Sequence, residues 1–198
     1  MTEQIIENYL TDAIESFRSY KKMAEKAIAQ ISDEEFFKAI DAEANSVAAI
    51  VKHIGGNLRS RWTRFLTSDG EKADRNRDSE FVTDDDTRES LMQVWENGFQ
   101  ILFDSLESLT AEDVHKTVKI RGEDFTVVKA INRALAHTAY HIGQIALLAK
   151  HFRSSEWQTL SIPKNKSAEF NQFLTEKRTP GSEKTNYLDA PQKFAKKQ

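Results

Sequence analysis

The chain has 198 residues, 39% of them hydrophobic and 30% charged, and this balance predicts one globular domain that folds in water. Its 28 basic and 31 acidic residues give a formal charge of -3, which excludes the basic surplus typical of nucleic-acid-binding domains and gives no attraction to an anionic membrane. Because there is no cysteine, disulfides, thiolate metal sites and a cysteine nucleophile are excluded as well.

Residues 3–30 predict a first long amphipathic helix. Their apolar side chains recur at steps of three and four residues and form one stripe, which consists of Ile5, Ile6, Tyr9, Leu10, Ala13, Ile14, Phe17, Tyr20 and Ala24. This segment lacks the basic start and apolar run of a signal peptide, and no later stretch is apolar enough to span a bilayer. We therefore expect a cytoplasmic protein with no membrane or nucleic-acid partner.

A second long helix is predicted from Asn45, whose side chain can cap it, to about Leu66. Its apolar stripe consists of Val47, Val51, Ile54, Leu58, Trp62 and Phe65. Gly55 and Gly56 interrupt this helix, and each weakens it by about 1 kcal/mol relative to alanine. Two such glycines in succession predict close packing against a neighbour or a kink.

The next segment, residues 67–83, is polar, highly charged and without periodicity, and it predicts a long loop. Ordered loops of this length are often functional, and a solvated connector is the alternative interpretation. Thr83 and the three aspartates that follow it predict the cap and the acidic first turn of a third long helix. The apolar stripe of that helix includes Leu91, Val94, Trp95, Gly98, Ile101 and Leu102.

A hairpin and a fourth long helix are predicted next. Residues with high strand propensity on both sides of Arg121 and Gly122 predict a small hairpin or extended turn over residues 117–126. A two-stranded hairpin is not stable alone, so it must pack on the helices. Thr126 can then cap a fourth long helix, which runs to about Phe152.

Short helices and a tail complete the predicted organisation. Ser32 and Glu35 have the spacing of a capping box, and Ser167 can cap another short helix. Beyond this helix the composition becomes basic and includes a Pro-Gly pair, which predicts a loosely held tail. We therefore divide the chain into a helical domain over residues 1–176 and a tail over residues 177–198.

Three of the five histidines lie on predicted helices at positions from which they can meet. His137 and His141 are one turn apart on a flank of the fourth helix, and His53 lies on the same side of the second helix, beside Asn57. Side chains on such flanks point into the groove between helices, so three imidazoles could converge on a divalent ion in a partly open pocket. Alternatively, His53 is a lone surface histidine and the pair is a hydrogen-bonded feature of its helix.

The other two histidines need no functional explanation. His115 lies in a polar connector, and His151 lies in the last turn of its helix, where a partial positive charge suits the helix dipole. The fourth helix has no glutamate at the spacing of an HExxH motif, so the general base of that class of metallohydrolase is not predicted.

These motifs resemble those of the DinB/YfiT-like superfamily of metalloenzymes. The mark of that superfamily is one histidine on the second helix and an HxxxHxGQ motif on the fourth, which correspond here to His53 and to HTAYHIGQ from His137 to Gln144. The segments GEKADRNRDSEF from Gly70 and SIPKNKSAEFN from Ser161 further resemble a bacterial branch of unassigned function. The resemblance spans about residues 1 to 176.

The resemblance implies an all-α fold, a four-helix up-down-down-up bundle, and frequently a homodimer. It also implies that His53, His137 and His141 bind one divalent metal ion, with water in the remaining positions. Imidazole ligands suit Zn, Ni, Cu or Fe. Relatives with known activity include S-transferases and isomerases that use the thiols bacillithiol, mycothiol or glutathione, but kinship of fold does not transfer a substrate.

Three functional hypotheses follow. Three neutral imidazoles leave a divalent ion its full charge, so a thiol or water bound there would lose its proton readily. The first hypothesis is therefore a transferase that joins a low-molecular-weight thiol to a small electrophile. The alternatives are metal-dependent hydrolysis, which uses the same ligands without a thiol, and a non-catalytic metal-binding or stress-related module.

The sequence does not identify a catalytic residue, but it suggests groups around the metal. The candidates for holding the metal ligands in place are Tyr140, Asn57 and Gln144. The candidates for binding a substrate carboxylate are Arg59, Arg61 and Arg133, although solvated salt bridges are the usual role of such arginines.

Overall fold

The computed structural model describes residues 3–177 and 190–195, which are mainly helical with one two-stranded sheet. In chain order the elements are α1 (Glu3–Ile28), α2 (Asp33–Phe37), α3 (Val47–Trp62), α4 (Arg88–Glu107), β1 (Thr117–Ile120), β2 (Glu123–Thr126), α5 (Val127–Arg153), α6 (Ser167–Lys177) and α7 (Ala190–Ala195). The long helices α1, α3, α4 and α5 correspond to the four that apolar periodicity predicts. None of the described helices combines the length and the apolar character that crossing a membrane requires.

One apolar core joins the long helices. Large side chains from all four are fully buried in it, among them Phe17, Ile50, Ile54, Leu58, Leu91, Trp95, Phe99, Leu102, Ile131 and Ile142. Burial of one such side chain contributes about 1.5–3 kcal/mol, so this shared core is the main force that holds the helices together. Ile5, which the predicted stripe of α1 includes, is exposed.

The helices α3 and α4 approach each other most closely at their glycines. A Cβ atom added to Gly98 would lie 2.8 Å from the carbonyl oxygen of Gly55, and one added to Gly55 would lie 2.7 Å from the carbonyl oxygen of Val94. These distances are too short for any side chain, so the contact is made backbone to backbone. The predicted close packing at the glycine pair is thereby confirmed.

The bounds of α3 differ from the prediction at both ends. Its N-cap is Ser46 rather than Asn45, because the Ser46 hydroxyl accepts a hydrogen bond from the N–H of Ala49 at 3.1 Å. The helix ends at Trp62 rather than near Leu66. The residue that follows, a threonine, directs both its N–H and its hydroxyl back to a carbonyl oxygen of the last turn.

The third long helix, α4, also begins later than predicted. Its N-cap is Thr87 rather than Thr83: the Thr87 hydroxyl accepts a hydrogen bond from the N–H of Ser90, and the Ser90 hydroxyl accepts one from the N–H of Thr87. The aspartates before it belong to the loop and not to the first helical turn. Asp86 accepts a hydrogen bond from the Lys52 ammonium at 2.6 Å, which fixes the end of the loop to α3.

The hairpin and the caps of α2 and α5 follow the prediction, whereas Ser167, predicted to cap the later short helix, is the first residue of α6. Strands β1 and β2 pair antiparallel, with Thr117 opposite Thr126. Thr126 caps α5 by accepting a hydrogen bond from the N–H of Lys129, and Ser32 and Glu35 form the capping box of α2. The hairpin packs on the helices through its buried side chains Val118 and Ile120, as a two-stranded sheet must.

Part of the predicted tail lies outside the described residues, namely 178–189 and 196–198. Helix α7 belongs to the predicted tail and lies within the described residues. Its Phe194 ring packs against Phe170 and Phe173 of α6 at centroid distances of 5.4 and 5.6 Å. This aromatic cluster is separate from the main core. The division of the chain at residue 176 stays a prediction.

We expect Gly98→Ala to destabilise the protein, although alanine favours a helix, because the new methyl group separates α3 from α4. Overpacking of this kind costs about 1–3 kcal/mol. The matched control is Gly143→Ala, at an exposed position inside α5 where an added Cβ meets nothing within 4 Å. That change should raise stability by up to about 1 kcal/mol. Urea denaturation measures both, and equal free energies of unfolding for the two variants would contradict the proposed contact.

Candidate metal centre

The three histidines of the motif come together in the groove between α3 and α5. Their nitrogen atoms that can act as ligands all lie within 4.8 Å of one another, and Nε2 of His53 lies 3.3 Å from Nε2 of His137. His53 is only 4% exposed and His141 is also buried, whereas His137 is half-buried. The alternative interpretation of His53 as a lone surface histidine is wrong.

The chemistry of this donor set fits a divalent transition-metal ion. Imidazole nitrogens bind zinc at about 2.0–2.1 Å, and two of them at a tetrahedral angle are therefore about 3.3 Å apart. The separation between the Nε2 atoms of His53 and His137 has this value. Three protein ligands also leave a coordination position for a molecule from solution, which is typical of catalytic rather than structural sites. The cluster could therefore hold a metal ion, whose identity the donor set does not decide.

The environment keeps two of these imidazoles neutral. Burial, together with repulsion from His141 and His53, lowers the pKa of His137 to about 3. Burial also lowers the pKa of His141. A neutral imidazole has a lone pair on one ring nitrogen, which metal binding requires. No proton has to be removed from either ring near neutral pH before an ion can bind.

Glu80, which sequence reasoning missed, holds His53 in place. Its Oε2 atom lies 2.8 Å from Nδ1 of His53, and the residue is only 6% exposed. When Nδ1–H donates to this carboxylate, the lone pair is on Nε2 and points at the other histidines. A carboxylate behind a histidine is the usual means by which proteins fix the orientation of a metal ligand.

Glu80 is itself held by Arg75, whose side chain is 3% exposed. Arg75 donates from Nε and Nη2 to the two carboxylate oxygens of Glu80, at 2.8 and 2.9 Å. Burial alone would raise the pKa of Glu80, but the hydrogen bonds from His53 and Arg75 lower it below its ordinary value. The carboxylate is therefore charged and buried, and Gly56 leaves room for it, because a Cβ there would lie 2.5 Å from Oε1.

The charged loop is part of the site and not a solvated connector. A 3-10 turn, Asp78–Phe81, delivers Glu80 and places the Phe81 ring in a stacked contact with His53 at a centroid distance of 5.0 Å. The guanidinium group of Arg77 lies over the Phe81 ring, 5.1 Å from its centroid. Two sequence signals bear on this role: the length of the loop, which marks ordered functional loops in general, and the GEKADRNRDSEF segment, which contains Arg75 and Glu80.

Hydrogen bonds to the hairpin turn fix the start of the same loop. The Asp69 carboxylate accepts from the backbone N–H groups of Glu71, Arg121 and Gly122 at 2.7 to 2.8 Å. These bonds lower the pKa of Asp69. Glu71 then forms ion pairs with Arg75 at 3.3 Å and with Arg121 at 3.2 Å. The loop that supports His53 is thus attached to the hairpin before it reaches the site.

The residues predicted to support the metal ligands have different roles. Gln144 accepts a hydrogen bond from Nδ1 of His141 at 2.7 Å, which leaves Nε2 of that ring for an ion. Gln144 donates in turn to the Tyr140 hydroxyl at 3.1 Å, and the Tyr140 ring also contacts the His141 ring edge-on at a centroid distance of 5.0 Å. Asn57 makes no hydrogen bond to these histidines and lies in the wall of an adjacent cavity.

The three arginines that were predicted to bind a substrate carboxylate also lie in different surroundings. Arg59 is exposed and forms an ion pair with Asp74, which is the solvated salt bridge that sequence reasoning gave as the alternative. Arg61 and Arg133 line a small cavity of about 10 Å³ between α3 and α5, which has room for about one water molecule. The two remaining histidines, at positions 115 and 151, are exposed and lie outside the cluster, as expected.

Comparison with known proteins gives one family and no activity. The sequence model of a family described as "Protein of unknown function (DUF1572)" matches residues 4–166, a range that includes the three histidines, Glu80 and the adjacent cavity. No curated protein and no solved structure matches significantly. Any statement about function therefore depends on the chemistry of the site.

We expect Glu80→Gln to lower the free energy of unfolding of the metal-free protein by about 3 kcal/mol, because it removes the buried counter-charge of Arg75. The matched control is Glu107→Gln, which breaks the exposed ion pair with Arg18 and should cost less than about 1 kcal/mol. Chemical denaturation of both variants checks this. A Glu80→Gln protein as stable as the control would show that the buried charge pair does not hold the loop.

Proposed function

This chain belongs to the DUF1572 family, and from its site we propose that it is a divalent-metal-dependent enzyme of the DinB/YfiT-like kind, with His53, His137 and His141 as the metal ligands. The observation that carries this proposal is the convergence of three imidazoles, of which His53 and His141 are buried and are held at Nδ1 by Glu80 and Gln144. Such an arrangement costs stability to maintain, since it places polar rings in a core. It is typical of a metal site.

We also propose that the long helices form an up-down-down-up four-helix bundle. Contacts between pairs of residues support this order. Tyr9 contacts Val128 and Gln30 contacts Gln158, as expected if α1 and α5 run parallel. Arg18 pairs with Glu107 and Lys21 pairs with Glu96, as expected if α1 and α4 run antiparallel. The glycine contact places α3 beside α4, and the histidine cluster places α3 beside α5. In such a bundle the metal lies in a groove between facing helices.

The proposed reaction is transfer of a low-molecular-weight thiol to a small electrophile. A bound divalent ion supplies Lewis-acid chemistry, which lowers the pKa of a thiol or of water and so provides a nucleophile at neutral pH. In the transfer the thiol sulfur forms a bond to an electrophilic carbon, and the leaving group departs with the electron pair and takes up the thiol proton. The chain has no cysteine, so the sulfur must come from a substrate.

The surroundings of the histidines favour thiol transfer over hydrolysis. A hydrolase of this type commonly needs a general base to accept a proton from water. Glu80 contacts His53, but its two oxygens already accept hydrogen bonds from His53 and Arg75, so it is poorly placed to act as that base. A thiol ionises far more readily than water and therefore depends less on a general base.

The proposal extends to location and assembly. We propose a cytoplasmic homodimer that binds Zn, Ni or Fe, as the resemblance to DinB/YfiT-like proteins implies. Two exposed apolar side chains two turns apart on α5, Tyr140 and Leu147, are compatible with a surface that a second copy covers. The balanced net charge gives no support for a nucleic-acid partner.

Replacing His141 with alanine should lower the metal content of freshly purified protein from about one ion per chain to a small fraction of that, because two imidazoles hold an ion poorly. Elemental analysis and competition with a chromophoric chelator measure the content and the affinity. The control is His151→Ala, which removes an exposed histidine from the same helix and should change neither. If His141→Ala and His151→Ala carried equal amounts of metal, the assignment of the ligands would be wrong.

Metal-loaded protein should conjugate a thiol to electrophiles in a panel at least about 100-fold faster than the metal-free protein or His141→Ala, because the ion is what activates the thiol. The panel is run with and without thiol, and it includes esters and amides. Turnover of esters or amides without thiol would favour the hydrolase instead. A melting temperature that falls on metal removal, with no turnover of any substrate, would favour the non-catalytic module.

A further inference from the structure

The turn Asp78–Phe81 is the part of the charged loop that reaches the candidate metal centre, and it does so through one imidazole. Glu80 contacts Nδ1 of His53 at 2.8 Å, and the Phe81 ring stacks on the His53 ring at a centroid distance of 5.0 Å. The two residues that precede Glu80 in this turn are exposed. Just after the turn, the Lys52 ammonium donates to a backbone carbonyl oxygen at 2.7 Å. His53 is therefore the main buried anchor of the turn.

The two nitrogen atoms of the His53 ring face different partners. Nδ1 contacts Glu80, whereas Nε2 lies 3.3 Å from Nε2 of His137, on the side where an ion would bind. An ion on Nε2 draws electron density from the ring, which makes Nδ1–H a stronger donor to a carboxylate. A ring that shares a positive charge also stacks more favourably on the face of Phe81. Both contacts of the turn with this ring should therefore become stronger when the site is occupied.

Glu80 also controls the charge that a cation meets at this site. The Arg75 side chain is 3% exposed, and its guanidinium donates at 2.9 Å to the same Oε2 atom of Glu80 that faces His53. The negative charge of Glu80 thus offsets a buried positive charge close to the imidazole. If the turn moved away, His53 would lose the carboxylate that keeps the lone pair on Nε2, and a cation would bind less tightly.

We propose that Glu80 couples metal binding to the order of the charged loop, so that an ion fixes the turn and the fixed turn holds the ion. Glu80 is a positioning residue, because it acts on the ion through His53. By thermodynamic linkage, the factor by which the closed turn raises metal affinity is the factor by which the ion favours the closed turn. A carboxylate behind a histidine ligand typically changes metal affinity by about 10–100-fold. This inference rests on the metal ligands named in the proposed function, and it makes the loop side of the site fixed only in protein that carries an ion.

The first measurement is hydrogen exchange of the full-length protein with and without zinc. The N–H groups of Glu80 and Val82 donate to carbonyl oxygens within the loop at 3.1 and 3.3 Å, so they exchange when the turn is released. Zinc should slow the exchange of both by about 10–100-fold. The N–H groups of Arg121 and Gly122 donate to Asp69 at the start of the loop, and they are the internal control whose exchange rates should change little.

The second measurement is zinc affinity, by competition with a chromophoric chelator. Glu80→Gln should bind zinc about 10–100-fold more weakly than the wild type, whereas Glu107→Gln, which changes an exposed carboxylate, should bind it equally tightly. A purely structural role of Glu80 would lower stability but leave the zinc affinity of the folded protein unchanged. His137→Ala removes a metal ligand and keeps the contact of Glu80 with His53, so zinc should no longer slow exchange in that variant.

The exchange measurement uses the wild type, so the test stays decisive even if Glu80→Gln does not fold. If the wild type binds zinc but the N–H groups of Glu80 and Val82 exchange equally fast with and without it, the coupling is wrong and the metal assignment stands. Equal zinc affinities of the wild type and folded Glu80→Gln would also overturn the coupling alone. A wild-type protein that binds no zinc, nickel or iron would overturn the metal assignment and the coupling together.

Discussion

The buried chain of contacts from Arg75 through Glu80 to His53 is the interaction on which the site depends. It brings a negative charge into the protein interior, where only a paired and hydrogen-bonded charge is tolerated. Both oxygens of Glu80 are satisfied, by Arg75 on one side and His53 on the other. The same contacts therefore fold the charged loop and fix the direction of an imidazole. Loop structure and ligand orientation are one feature of this protein, not two.

Helix α3 makes most of the contacts that position His53 and Glu80. Within four residues it presents His53 to the groove, packs Gly55 against the backbone of α4, and leaves space above Gly56 for Glu80. The two glycines cost helix stability, and each serves a different neighbour. The packing of α3 against α4 also orients the helix so that His53 faces α5. The position of this imidazole is thus determined by backbone contacts on the opposite side of its helix.

Sequence reasoning predicts what depends on local periodicity and misses what depends on distant partners. The long helices and the hairpin follow from spacing of three, four and two residues. For His53, His137 and His141 that spacing allowed a meeting but left an alternative open, and the motif resemblance favoured the meeting. The helix starts were misplaced, by one residue in α3 and by four in α4, because several neighbouring hydroxyl or amide side chains can each act as a cap and tertiary contacts choose among them. Glu80 was missed because it is 27 residues from His53 and lies in a segment without periodicity.

The covering of His53 by a loop, rather than by another helix, affects how an ion could be exchanged. The loop is tied at one end by Asp69 to the hairpin turn and at the other by Asp86 to Lys52. Release of its central turn, Asp78–Phe81, would uncover one edge of the imidazole while both ties and the helical core stay in place. Passage to the histidines would then follow a local opening, which is faster and more frequent than global unfolding.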